Sequence, residues 1–80
     1  MNRPRVIPAR LKEQADIYQQ KYGYNLTAKQ AAKFLGTTSG TLAVWRHEGR
    51  KPDYIKLGRA VRYPLDSLIE FQENSKVTTT

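Results

Sequence analysis

The sequence predicts a mainly α-helical domain that carries one small two-stranded antiparallel hairpin, and three observations predict it. Two short segments, around Ala28–Leu35 and Ser39–Glu48, place apolar residues at helical spacing on either side of a three-residue turn, Gly36-Thr37-Thr38. Beyond them the period changes to two, with Ile55, Leu57, Val61 and Tyr63 alternating with Lys56 and Arg62 around a glycine. Ahead of both, Leu11, Ala15, Tyr18 and Tyr22 fall on one stripe of an additional N-terminal helix.

Taken in chain order, residues 1–7 hold Arg3 and Arg5 with Asn2 and Pro4, and read as a flexible basic arm. Such an arm is either a frayed terminus or a segment that follows phosphates or enters a minor groove. Residues 8–74 form a single domain with its core between 26 and 71. Pro8 suits the first turn of a helix, where its missing N–H costs nothing. Gly23 is placed to end that helix in the left-handed conformation. The stripe between them serves either the domain's own core or a second copy.

Thr27 and Gln30 have capping-box spacing, which ties down two orphan N–H groups at the start of the next helix. Ala28, Ala31, Ala32 and Leu35 are expected to form its buried stripe, with Phe34 to one side. Their small size lets a second helix approach closely. Gly36 ends the helix, Thr37 turns the chain and Thr38 caps the helix that follows. In that second helix Leu42 and Trp45 should face inward, with Trp45 as a core anchor rather than a base-stacking surface. Ser39, Gly40, Ala43, Val44, Arg46 and His47 are left on exposed arcs.

In the hairpin, a Gly58-Arg59-Ala60 turn would throw Ile55, Leu57, Val61 and Tyr63 against the helices. Lys56 and Arg62 would then project from the other face, with Arg59 at the tip. Pro64 ends the second strand, and Asp66 is expected to cap a last helix whose Leu65, Leu68, Ile69 and Phe71 close the core. Residues 75–80 read as a disordered polar tail. A helix pair followed by a hairpin with a dry face and a cationic face is a winged helix-turn-helix.

Eighty residues leave little room for both a stable core and an enclosed active site. The chain has no cysteine, hence no disulfide and no thiolate metal site. No apolar run approaches the roughly 18–20 residues of a membrane span, and no signal-peptide stretch is visible. A cytoplasmic protein without a membrane partner is expected. His47 is the single histidine, Glu70 and Glu73 read as solvated charges, and no phosphate loop is present. These features predict no enzyme, no cofactor and no metal.

Charge is more informative. Fourteen Lys and Arg against seven Asp and Glu give a formal net charge of +7. Between residues 46 and 62 lie Arg46, Arg50, Lys51, Lys56, Arg59 and Arg62, opposed only by Glu48 and Asp53. That concentration points to double-stranded DNA as the partner. Lys56, Arg59 and Arg62 on the wing, Arg50 and Lys51 before it, and Lys29 are the candidate phosphate contacts. Ser39, Gly40, Thr41, Ala43, Val44, Arg46 and His47 are the candidate major-groove residues. Among these, Arg46 has the reach for a guanine, while Ala43 and Val44 suit thymine methyls. Direct readout from such plain side chains is expected to be modest, with groove shape and cooperative binding at neighbouring sites adding specificity.

The ordered set Thr27-Ala28-Lys29-Gln30-Ala31-Ala32-Lys33-Phe34-Leu35-Gly36, Thr41-Leu42, Trp45-Arg46, Glu48-Gly49-Arg50, Pro52, Ile55-Lys56-Leu57-Gly58 and Val61-Arg62-Tyr63-Pro64 resembles the excisionase-type, MerR-like winged helix-turn-helix family. The resemblance covers about Leu26 to Phe71. It implies a small protein of a phage or mobile element, with the second helix in the major groove and the wing in the minor groove. Some members act with an integrase as recombination directionality factors; others, like the AlpA-type regulators, control transcription by RNA polymerase. Self-association on DNA is a corollary. Ser39, Gly40, Ala43 and Val44 match the groove-facing positions, and Lys56, Arg59 and Arg62 match the wing. Gly40, Ala43 and Val44 are smaller than the long polar residues often found there. The rival reading is a protein-interaction adaptor that docks through Leu11, Ala15, Tyr18 and Tyr22.

Overall fold

Leu26, Leu42, Tyr63, Leu65 and Leu68 are all but sealed from solvent, and three separate segments of chain bring them together. The computed structural model describes residues 9–75. In order they form α1 (Ala9–Tyr22), β1 (Asn25–Thr27), α2 (Ala28–Leu35), α3 (Ser39–His47), β2 (Ile55–Leu57), β3 (Ala60–Pro64) and α4 (Leu65–Asn74). This is the mainly helical, winged helix-turn-helix arrangement expected from the sequence, with one correction. The sheet has three antiparallel strands rather than two, in the order β1-β3-β2. The expected basic arm, residues 1–7, and the tail beyond Ser75 lie outside the described residues. Ser75 itself closes α4, its N–H donating to Phe71 O at 2.9 Å.

α1 lies beside α4 and turns its stripe inward. Ala15 is buried, and Leu11, Tyr18 and Tyr22 pack against the core. The Tyr18 ring meets Phe34 edge-on at 5.0 Å and Tyr22 at 5.5 Å. Gly23, at φ +92°, then turns the chain into β1, where Leu26 pairs with Tyr63 and Thr27 with Arg62. Leu26 is fully buried, so its backbone polar groups need ladder partners, and β3 supplies them.

α2 begins with the expected capping box: Gln30 N donates to Thr27 Oγ1 at 3.2 Å, and Thr27 N donates to Gln30 Oε1 at 3.0 Å. Gly36 takes the left-handed conformation at its end, at φ +76°. Within α2, Ala31 and Ala32 are buried while Ala28 and Leu35 are only half so. Phe34, expected to sit aside, is a core residue at 2% exposure, because α1 and α4 close over that side of the helix. α3 starts at Thr38, whose Oγ1 accepts from Thr41 N at 3.1 Å. It buries Leu42 and sets Trp45 against Phe71 of α4, with ring centroids 5.3 Å apart.

The hairpin corrects two further expectations. Its loop is two residues, Gly58-Arg59, so Leu57 pairs with Ala60, Lys56 with Val61 and Ile55 with Arg62. Gly58 has φ +64°, and Arg59 does not share the positive φ; a glycine leading a two-residue loop is a common hairpin connection. Directly paired residues share a face, so Lys56 lies with Val61 and Tyr63 towards the helices. Ile55 and Leu57 lie with Arg62 on the outer face, 38% and 60% exposed. Shortening the expected loop by one residue reverses which side of β2 faces inward. α4, finally, has Pro64 rather than Asp66 at its N-cap, without a side-chain cap. Asp66 sits in the first turn, where a carboxylate complements the helix dipole. Ser67 Oγ lies 2.8 Å from both Pro64 O and Asp53 O, which fastens the segment before β2 to α4.

Candidate nucleic-acid interface

Capping by Thr38 leaves the opening turns of α3 in the open. Ser39, Gly40, Val44 and His47 are exposed, and Ala43 is half-buried. Thr41 is partly committed, since its Oγ1 lies 2.9 Å from Thr38 Oγ1 within the cap. Gly40 is not small for lack of space. A Cβ there would meet only Thr38 Oγ1, at an ordinary 3.8 Å, so the fold does not require the missing side chain. Through Ser39, Gly40 and Ala43 the surface offers backbone and small groups for close approach from outside.

Arg46 departs most from its expected place. It is half-buried rather than exposed. Its Nη1 donates to the phenolic oxygen of Tyr63 at 2.7 Å, and its guanidinium lies 5.7 Å from the centre of the Tyr54 ring. The Tyr54 and Tyr63 rings are themselves 6.0 Å apart. Tyr63 is 1% exposed, so its hydroxyl is a fixed anchor. Ala43, Arg46 and His47 of α3, with Tyr54 and Lys56 of the hairpin segment, surround an open hollow of about 490 Å³. Among the described residues no carboxylate lines it. The loop length explains the presence of Lys56: the observed register turns it towards α3.

The remaining predicted cations divide. Arg59 stands exposed at the tip of the hairpin. Arg62 is on the outer face, half-buried, with Nη1 donating to Val61 O at 2.9 Å. Arg50 is paired with Glu48 at 3.2 Å and lies 5.6 Å from the Trp45 ring centre. Lys51 is paired with Asp53 at 2.8 Å, and the hydrogen bond and charge of that carboxylate hold its ammonium above the usual lysine range. Both pairs are exposed, so neither holds its cation tightly away from a competing phosphate. Lys29 is exposed in the first turn of α2, two residues after the strand partner of Arg62.

The structure therefore brings Ala43, Arg46, His47 and Lys56 together and leaves Lys29 and Arg62 apart from them. It adds Tyr54 and Tyr63, which sequence reasoning did not select. Tyr63 was legible as a core residue; its second role depends on a contact with a residue 17 positions away, which no periodicity reports. Among the described residues no group of His, Asp or Glu could hold a metal ion, and no helix is long and apolar enough to cross a membrane.

Residues 26–76 match the family model described as a helix-turn-helix domain. The match takes in β1, α2, α3, the hairpin and α4, and leaves α1 outside. No curated protein and no solved structure matches the chain.

Proposed function

The chain belongs to the helix-turn-helix domain family, and from that premise we propose that it binds a specific site on double-stranded DNA. In this reading the first turns of α3 enter the major groove and the tip of the β2–β3 wing enters the neighbouring minor groove. The protein acts in the cytoplasm of a bacterial or phage-infected cell, as an excisionase-type directionality factor working with an integrase, or as a regulator of transcription by RNA polymerase.

One observation carries the proposal. The open face of α3 and the exposed wing flank a hollow to which Arg46 and Lys56 bring positive charge and, among the described residues, no carboxylate contributes. Duplex DNA presents its major groove to the former, and the minor groove with its flanking phosphates to the latter. The adaptor reading is the weaker one, because Ala15 is buried and Leu11, Tyr18 and Tyr22, though only partly buried, pack on the domain's own core.

The test is selection of binding sites from a random-sequence duplex pool, followed by gel shift on the selected site and on unrelated duplex. Saturable preference for the selected site, with affinity that falls steeply with salt, is expected. Arg59→Ala should weaken binding to both duplexes alike. Salt-insensitive binding, or failure to enrich any site, defeats the proposal. An excision assay with the cognate integrase and a promoter-reporter assay separate the two biological roles.

A further inference from the structure

We infer that the hollow between α3 and the wing is a seat for one phosphodiester of the DNA backbone, with Arg46 as its principal ligand rather than a reader of guanine. The inference rests on the DNA-binding reading and deepens it.

The argument starts from the constraint on Arg46. One of its N–H groups is taken by Tyr63 Oη at 2.7 Å, and Tyr54 lies beside the guanidinium. A side chain anchored to a buried phenol in the centre of the sheet is not free to extend into a groove and follow a base edge. It is, however, a pre-oriented fork. Arginine has five N–H donors in one plane, so the bond to Tyr63 leaves the greater part of the fork to an outside acceptor. Tetrahedral phosphate oxygens suit that fork, and a fork already ordered loses less freedom on binding.

The surroundings fit an anion. Lys56 contributes an exposed ammonium to the same hollow, and His47 and Ala43 complete its α3 wall. The two carboxylates nearest in sequence, Glu48 and Asp53, are each engaged by a cation of their own, Arg50 and Lys51. Among the described residues, the ion pairs formed are those of Arg50 and Lys51, and neither involves Arg46 or Lys56. The position is also apt: in the docking proposed above, a residue late in α3, opposite the hairpin, would face the strand between the major groove and its neighbouring minor groove.

Fluorescence anisotropy titrations of the full chain, on the selected duplex and on random duplex of equal length, test the assignment between about 50 and 200 mM salt. Arg46→Gln should reduce the slope of log affinity against log salt by about 0.9 on both duplexes, the value for one lost phosphate contact. The preference for the selected site should stay unchanged. Arg46→Lys should restore the slope but not the full affinity. Tyr63→Phe, which removes one oxygen, should weaken both duplexes equally with the slope intact.

If Arg46→Gln abolishes the preference while leaving random-duplex binding and its slope untouched, Arg46 reads a base and the inference is wrong. It is equally wrong if both duplexes bind as before. Circular dichroism melting of each variant detects a fold lost by Arg46→Gln, in which case unchanged binding by folded Tyr63→Phe overturns the assignment. Wild-type protein that binds no duplex removes the underlying reading itself, and that outcome is visible before any variant is made.

Discussion

Replacing Leu57 by threonine tests the hairpin register, on which the direction of Lys56 depends. Leu57 keeps 60% of its surface exposed, so folding removes about two fifths of it from water. Burying a whole leucine side chain contributes about 1.5–3 kcal/mol, and two fifths of that is roughly 0.6–1.2 kcal/mol. Threonine retains strand propensity and a methyl group, so Leu57→Thr should cost at most about 1 kcal/mol. Leu42, 1% exposed, gives the contrast: Leu42→Ala should cost about 2–5 kcal/mol through lost transfer energy and the cavity left behind. Urea denaturation of both variants, compared at equal m-value, measures the difference directly. In thermal melts each kcal/mol should appear as roughly 4–8 °C for a domain of this size. Equal losses from the two substitutions would place Leu57 in the core. The hairpin faces would then be exchanged, Lys56 would point away from α3, and the hollow would lose its second cation.

The same register predicts unequal effects of two wing cations on DNA binding. Lys56→Ala should weaken binding to every duplex by about eightfold at ~0.1 M salt, the release of counterions by one phosphate contact, and Arg62→Ala on the outer face by less; salt titrations of both variants check this, and the reverse order counts against the geometry. Thr27→Ala removes one half of the capping box and should destabilise the domain by about 1 kcal/mol in urea, with Thr27→Ser close to wild type.

What was legible in the sequence was local. The capping box of Thr27 and Gln30, the cap at Thr38 and the helix-ending Gly36 each act within one turn of chain, and each is present where its spacing places it. The α1 stripe was legible by its period, although only packing decides that it faces inward. β1 was not legible, because three residues are too few to show alternation and its partner lies far along the chain. Asp66 misled for a related reason: a good capping residue stands two positions late when the strand runs without a gap into the helix. The inward side of β2, though not that of β3, was missed by a single residue of loop length, since Gly58-Arg59-Ala60 and Gly58-Arg59 differ in parity. Arg46 was missed because a salt-free contact with a buried tyrosine leaves no local trace.

β3 has consequences beyond the core. It is clasped on both sides, by β1 and β2, and two strands run into their helices without slack: Thr27 ends β1 and caps α2, while Pro64 ends β3 and caps α4. Arg46 of α3 is tied to Tyr63 of β3, so α3 and the wing are held at a set spacing. If, as proposed, a duplex engages both, any mismatch between that spacing and straight B-form DNA has to be taken up by the duplex, at base steps the protein never touches. Compliance of those intervening steps would then be part of the recognised signal.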